Sequence, residues 1–512
     1  MGQSDQGEHI YSVVSRARNA RVALWVANDN LHFRAAAGAM TQSLREELTE
    51  NKAAIVCALS EPSFRKRATA VTVPILHFYK ELWTKIVSGT LSVAFSNATH
   101  WAGRIHEPID LENLQRAVDR LVARHPILGC KVEEVDAGPQ FRFGHRIVIH
   151  LEEIPHTHAG SPEVLATQRV TELTWRPFDT REEPLFRLFV LKLAQADYII
   201  GFVVHHFIAD RTSVGVLRTE LTAAVAETDA AHELPHADAP LQYADYVTGY
   251  NEWLNSPALH FRLAYWKDQL RAAPSSRLPE DHVLDPDESC TVKSYGFHID
   301  LQTTTQLRGL AHHLNSTLFC VLLAAKAIAL SHVLTSIDVV ILTMHHGRDD
   351  RRLAGMVGST QNQIPLRIQV PKDSTFAGVT AAVDAVSVAA FEHRVPYHYV
   401  RTMLPLIGTR ETFAEINFAD FAQPADVAVV AHAPARVDSV EILGGPQWRS
   451  SPQYYPAHQM SLSATPVGIQ GFLDYLVLQY EQGTIVRFFD LFRTILQEAP
   501  RDPGRTVREL LP

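Results

Sequence analysis

Cysteine is scarce: four residues in a chain of 512, Cys57, Cys130, Cys290 and Cys320, stand far apart and in no CxxC or zinc-finger spacing. That excludes a disulfide-stapled scaffold and a cysteine-built metal centre, and the four thiols are expected to be buried as small apolar side chains. A secretory start is also lacking. The opening MGQSDQGEH has neither a charged lead nor an apolar stretch, and no uninterrupted apolar run approaches the ~18 residues of a membrane span. The expectation is a cytoplasmic chain with no membrane partner. Met1-Gly2 opens like a myristoylation site, but Gln6 stands where Ser or Thr is required. Positive charge is not in excess: 47 − 56 = −9 gives no general attraction to phosphate backbones, so no nucleic-acid partner is expected. Histidine is plentiful at 26, yet HExxH is absent and His156-Thr157-His158 is the nearest approach to a chelate, so no metal is expected. There is no GxSxG elbow to activate a serine nucleophile. What remains is an ordinary globular composition, 46% hydrophobic and 20% charged, long enough for one large enzyme domain and a small accessory.

Residues 1–60 read as a small unit. Tyr11 to Ala20 predicts a short helix, and Arg21 to Val26 and Leu31 to Ala35 are β-prone runs around Ala27-Asn28-Asp29-Asn30, a four-residue hairpin loop. Thr41 or Ser43 then caps one helix carrying Leu44, Leu48, Ile55 and Leu59. Residues 61–74, with Glu61-Pro62 and Arg65-Lys66-Arg67, form a linker. An α/β pattern without repeats follows. Leu111 to Arg124 has helical spacing; Leu185 to Leu193 and Tyr198 to Val204 are strands; Thr303 to Val333 is helical and Asp338 to Met344 is a buried strand. The polar stretch Pro274 to Glu288 connects two lobes, assigned to residues 75–270 and 271–512.

The chemistry-bearing segment is Tyr198-Ile-Ile-Gly-Phe-Val-Val-His205-His206-Phe-Ile-Ala-Asp210, which ends a buried strand in two histidines and a nearby carboxylate. An imidazole held at a strand end can take a proton, and a fixed carboxylate can shape its loop. The string HHxxxD occurs twice, however: His345-His346-Gly347-Arg348-Asp349-Asp350 also follows a strand. Context separates the copies. Pro177-Phe178-Asp179, Pro184-Leu185-Phe186-Arg187, His205-His206-x-x-x-Asp210, Ser213 and Leu217, then Leu241-Gln-Tyr243-Ala244-Asp245-Tyr246, Trp253 and Tyr265-Trp266, together resemble the condensation domains of nonribosomal peptide synthetases. The second copy falls where that family has a short Asn-Arg-like segment, here Gly347-Arg348, ahead of the loop Val357-Gly358-Ser-Thr-Gln361-Asn362.

The resemblance implies an α/β fold of two chloramphenicol-acetyltransferase-like lobes in a V, with a tunnel reaching His206. It implies an acyltransferase that moves an acyl chain from the phosphopantetheine thioester of a carrier protein to an amine or hydroxyl, the acceptor being a free small molecule or held on a second carrier. His206 would handle the acceptor's proton, while His205 and Asp210 would be architectural and Arg348 would pair with Asp210. Arg211, Ser213, Arg124 and Asn362 would line the tunnel. Arg211 stands where the family has Gly, so this turn must accept a side chain. Leu443-Gly444-Gly445-Pro446-Gln447 lacks the serine that a carrier needs, so phosphopantetheine is expected on partner proteins and no cofactor is bound covalently.

Residues 1–60 resemble the β-hairpin, tubulysin-type docking domains, giving an α-β-β-α module ahead of the lobes. An unpaired hairpin edge is a template for strand addition, and residues 10–35 set Arg16, Arg18, Arg21 and Arg34 against Asp29 alone. The expected ligand is the acidic C-terminal tail of an upstream carrier protein, held by Arg21, Trp25, Leu31, His32, Phe33 and Arg34. With no activation or carrier module in these 512 residues, the layout resembles free-standing enzymes, including the enacyloxin-type, ester-forming chain-release enzymes. Amide formation and a catalytically silent docking platform are the alternatives.

Overall fold

The structure, a computed structural model, describes residues 3–27, 29–66, 72–76, 79–80, 83–84, 87, 98–136, 138–155, 161–226, 240–285, 290–408, 413–420, 437–440, 449–450 and 458–511. The His156-Thr157-His158 and Leu443 to Gln447 segments lie outside the described residues.

The N-terminal module comprises α1 (Gln3–Asn19), β1 (Val22–Ala27), β2 (Asn30–Ala35), α2 (Gln42–Glu50) and α3 (Lys52–Leu59). Two expectations are corrected here. Ala27 pairs with Asn30, so two residues rather than four close the hairpin, with Asp29 in the left-handed region at φ 59°. The single helix expected after Thr41 is two, broken at Asn51, whose side-chain amide donates back to the Glu47 carbonyl at 2.9 Å. Thr41 supplies the cap, accepting from the Leu44 N–H. Helix α1 starts at Gln3, well before Tyr11, because Gly7 lets its first turns lie against a later helix: a Cβ there would stand 2.5 Å from the His260 Cβ.

The first lobe contains β3 (Thr72–Pro74), β4 (Ala98–Ile105), α4 (Leu111–Arg124), β5 (Lys131–Val135), β6 (Gly138–Arg142), β7 (His150–Glu153), α5 (Pro162–Trp175), β8 (Phe186–Ala194), β9 (Asp197–His205) and α6 (Arg211–Ala226). Helices α7 (Tyr243–Leu254) and α8 (Pro257–Gln269) lead to the second. That lobe contains β10 (Cys290–Asp300), α9 (Leu301–His313), α10 (Leu318–Leu334), β11 (Asp338–His345), β12 (Asn362–Gln369), α11 (Phe376–Glu392), α12 (Tyr397–Met403) and β13 (Ala414–Asp420). The strands β14 (Val437–Ser439), β15 (Arg449–Ser450), β16 (Gln459–Thr465) and β17 (Gly468–Leu476) follow, then α13 (Gln482–Glu498) and α14 (Val507–Leu510). The expected continuous helix over 303–333 is α9 and α10, which meet at 102° across a break where Asn315 is left-handed.

Each lobe has its own mixed sheet. The first runs β14-β4-β9-β8-β7, the second β12-β11-β13-β16-β17-β10-β15. Strand β14 therefore crosses from late in the chain to pair antiparallel with β4. Helix α8, within the range 75–270, packs Leu259, Tyr265 and Trp266 into the core formed mainly by residues 299–510. No single described helix is long and apolar enough to cross a membrane. Three thiols are buried and Cys57 is only half-buried.

Candidate functional site

Strand β9 is apolar on both faces and central in its sheet, and buried residues run from Tyr198 to His205. Its ladder ends where His205 pairs with Ala98, which places His206 one residue beyond the sheet. The two imidazoles carry opposite tautomers. His205, 1% exposed, accepts the Phe207 N–H at Nδ1 (3.1 Å), so in its neutral form the proton is on Nε2, which has no partner among the described residues. Burial, reinforced by the His206 and Arg187 charges, pushes His205 down to about 3 and keeps it neutral. In half-buried His206, Nδ1 lies 2.6 Å from the Ala209 carbonyl. A carbonyl only accepts, so Nδ1 carries the proton and Nε2 keeps a lone pair. That is the arrangement of a general base.

Asp210 serves a different end. It is 2% exposed and accepts from Ser213 N and Oγ (both 2.8 Å), from Thr360 Oγ1 (3.1 Å) and from Arg348 across the lobe junction. Arg348 donates Nη2 to both carboxylate oxygens (2.9 and 3.0 Å) and Nε to Oδ2 (3.2 Å), while its remaining N–H groups reach the carbonyls of Leu353, Met356 and Gly358. The pair is buried and saturated with hydrogen bonds, the condition under which an interior ion pair is tolerated. It clasps the loop that carries His206 to the second lobe.

The remaining residues expected to line a tunnel sit elsewhere. Ser213 is corrected: it is fully buried inside the clasp, within 3.0 Å of the Gly358 carbonyl and accepting from Gly358 N at 3.1 Å. Arg124 donates to Glu220 at 3.2 Å, and His125 faces the other oxygen at 2.9 Å. Burial raises the Glu220 carboxyl, but His125 and Arg124 outweigh it and hold the group low. This ion cluster ties α4 to α6, so Arg124 is a brace. Asn362 is spent at both ends, donating to the Val395 carbonyl (2.6 Å) and accepting the Tyr397 N–H (2.8 Å), which positions the start of α12. Arg211 is exposed and opens α6 without a positive φ, so the position demands no glycine.

Sequence reading assigned no role to three residues that complete the site. Tyr79 bonds through its hydroxyl to Ser359 Oγ, and its ring stands 6.5 Å from that of His206. Thr360 holds Asp210 and also donates to the His346 carbonyl at 2.6 Å. Gly358, beside them, faces the Tyr243 ring so closely that a Cβ would lie 2.2 Å from it. The loop Val357 to Asn362 was conspicuous in sequence, but nothing local signalled its partners.

On the docking module, opposite residues share a face, which sorts the expected tail-binding set. Trp25 stacks on His32 (5.8 Å, 16°) on the outer face, with Arg34 on the same side. Leu31 is corrected: it turns inward with Val22, Leu24 and Ala35 to the module's core. Phe33 shares that inner face but is 48% exposed at its rim. Two of the four arginines already hold carboxylates, Arg16 with Glu47 and Arg18 with Glu392 of the second lobe (3.1 Å), leaving Arg21 and Arg34 exposed with no partner among the described residues. The module is seated, with Tyr11 packed edge-on against Phe261, Tyr265 and His393 and Glu8 paired with Lys267 at 2.7 Å. Its exit is strapped down as well. Glu61 pairs with Arg262 (2.8 Å) and Arg394 (3.0 Å), and Phe64 stacks on Tyr246.

Comparison with known proteins agrees with this architecture. Residues 10–61 match the TubC N-terminal docking domain and residues 95–511 the Condensation domain. The chain is similar to part of the linear gramicidin synthase of Brevibacillus parabrevis, 28% identical over 327 residues (63% of this chain, 4% of that protein). It is likewise similar to the chondramide synthase of Chondromyces crocatus, 26% identical over 455 residues (86% and 11%). It thus spans only a small part of the curated relatives it matches. Among solved structures, the chain-releasing condensation domain of the enacyloxin polyketide synthase superposes with a TM-score of 0.70 at 21% identity, covering 95% of each chain. The X-domain from teicoplanin biosynthesis gives 0.70 at 19%, covering 88% of this chain and 100% of its own. At such identities these structures speak to fold alone. With the family match extending over both lobes and the histidine loop between them, the chain belongs to the condensation domain family.

Proposed function

We propose that the protein transfers an acyl chain from the phosphopantetheine thioester of a partner carrier to an acceptor hydroxyl or amine, with release of the chain as an ester as the leading case. The observation that carries this reading is the 2.6 Å contact of His206 Nδ1 with the Ala209 carbonyl, because it leaves Nε2 with a lone pair. His206 Nε2 takes the acceptor's proton as its oxygen or nitrogen bonds to the thioester carbonyl carbon. The C–S bond breaks, and the proton passes to the departing thiolate. No covalent enzyme intermediate is needed. Holding two tethered reactants in line is worth up to about 7–11 kcal/mol, and the base adds about 10²- to 10⁴-fold. His205, Asp210 and Arg348 shape and hold the loop.

The acidic tail of the upstream carrier protein pairs with the hairpin at residues 1–60, along the face bearing Trp25, His32 and Arg34 with Arg21 at its end. The linker 61–74 and the lobes 75–270 and 271–512 then present His206 to the delivered chain. Likeness to the X-domain, whose relative in teicoplanin biosynthesis was solved in complex with OxyB, favours as second reading a silent docking platform. The deciding experiment supplies acyl-loaded carrier with a panel of free and carrier-bound alcohols and amines and identifies products by mass spectrometry. Ester product supports the leading case and amide product the alternative acceptor. No product from any acceptor, with carrier binding intact, supports the platform.

A further inference from the structure

His206 is fixed by hydrogen bonding at one ring atom, Nδ1 on the Ala209 carbonyl. An imidazole held at one atom can still swing about that bond, and Nε2 at the far side of the ring moves most. Something else must set the plane. The Tyr79 ring stands 6.5 Å from His206 at 48° and packs on Phe207 at 5.4 Å. Tyr79 is 6% exposed, and its buried hydroxyl bonds to Ser359 Oγ.

Ser359 is itself fully buried and cannot shift alone. Its two neighbours hold the histidine loop: Gly358 accepts from Arg348 (2.9 Å) and Thr360 donates to Asp210 (3.1 Å). The Gly358-Ser359-Thr360 tripeptide of the second lobe therefore grips the loop around Asp210 at two points and the aromatic wall beside His206 at a third. Tyr79 belongs to the segment leading into β4 of the first lobe, so its bond to Ser359 spans the junction.

We propose that Tyr79 and Ser359 form a positioning pair, setting the plane of the His206 imidazole from across the lobe junction; this rests on His206 being the base. Burial pushes the Tyr79 hydroxyl up, so it stays protonated throughout the working range. A phenylalanine at 79 would keep the ring and its packing and remove only the bond that anchors it, which isolates orientation from bulk.

The test uses the full chain and acyl-loaded carrier. Tyr79→Phe and Ser359→Ala should each lower kcat about 10- to 100-fold, with KM for the carrier unchanged, because a small misplacement of a reacting group is costly while carrier binding lies outside. The double variant should be no slower than either single one, and Ser359→Thr, which retains the hydroxyl, should recover most of the rate. A lowered melting temperature with unchanged kcat, or additive losses in the double variant, would overturn the pair. Should the wild-type protein turn over no acceptor, the reading of His206 as base fails separately, and ¹⁵N spectra of the histidine rings decide the pair. In Tyr79→Phe the His206 signals should shift or broaden while those of His346 stay; unaltered His206 signals overturn it.

Discussion

The two HHxxxD strings begin alike and end differently. Each follows a strand, β9 ending at His205 and β11 at His345, and in each the first histidine accepts at Nδ1 the N–H two residues on, from Phe207 (3.1 Å) and Gly347 (3.0 Å). The aspartates then diverge. Asp210 is enclosed by Arg348 and Thr360 of the opposite lobe, whereas Asp350 caps its own short turn through Arg352 N (2.9 Å) and pairs with the exposed Arg352. The second histidines diverge too: His206 is half-buried with its tautomer set, and His346 is exposed. Arg348, an intervening residue of the second string, is the partner of the first string's aspartate. One copy presents a base, and the other supplies the buttress that holds it.

The comparison breaks most sharply at the histidines. His206→Ala should lower acyl transfer by about 10²- to 10⁴-fold, and His346→Ala should leave it unchanged, read as product formed from acyl-loaded carrier. Equal losses would show that the strings share the chemistry.

At the aspartates the expected split is one of stability. Asp210→Ala leaves Arg348 buried without its counter-charge and should cost about 3–5 kcal/mol in denaturant unfolding. Asp350→Ala removes only a cap at the surface, a loss of about 1 kcal/mol. An Asp210→Ala variant also inactive in transfer is thereby explained without any role for Asp210 in the reaction.

Acid should separate the first histidines. Burial holds His205 down to about 3, against an ordinary 6.5, so the fold keeps it neutral while the unfolded chain binds a proton. The unfolded state thus holds more protons below pH ~6.5. The stability from this group is complete above that value and is lost as pH falls towards 3, by up to about 1.4 kcal/mol per pH unit. His205→Asn, which keeps an acceptor for the Phe207 N–H, should flatten the melting temperature profile over that window. His345 is also lowered by burial, but Asp349 opposes the shift, so His345→Asn should flatten it less.

The smallest effect lies at the hairpin. Arg34→Glu should weaken binding of an acidic tail peptide by a few-fold at low salt and by less at high salt, since exposed charges are screened. Calorimetric titration at two ionic strengths reads it, and a salt-independent loss would place the binding on Trp25 and His32 instead.

Much of this was legible in the residues. The apolar runs into His205 and His345 predicted both strands, and the helix over Leu111 to Arg124 was predicted to the residue. The misreadings were breaks and partners. Asn51 and the left-handed Asn315 each split a helix that periodicity ran together. Ser213, Arg124 and Asn362 were placed along a substrate path, but their polar atoms are consumed by Asp210, Glu220 and the Val395–Tyr397 backbone.

By itself, then, the sequence determined the order of strands and helices, the position of an imidazole pair at a strand end, and the hairpin with its outward Trp25 and His32. Those features follow from side-chain periodicity and local backbone preference, which act over a few residues. Which of the two strings would hold a base was decided only by tertiary structure. The groups that distinguish them meet across separations such as the 138 residues from Asp210 to Arg348 and the 280 from Tyr79 to Ser359. Such contacts exist only once two lobes have buried their facing surfaces and each polar group enclosed there has had to find a partner.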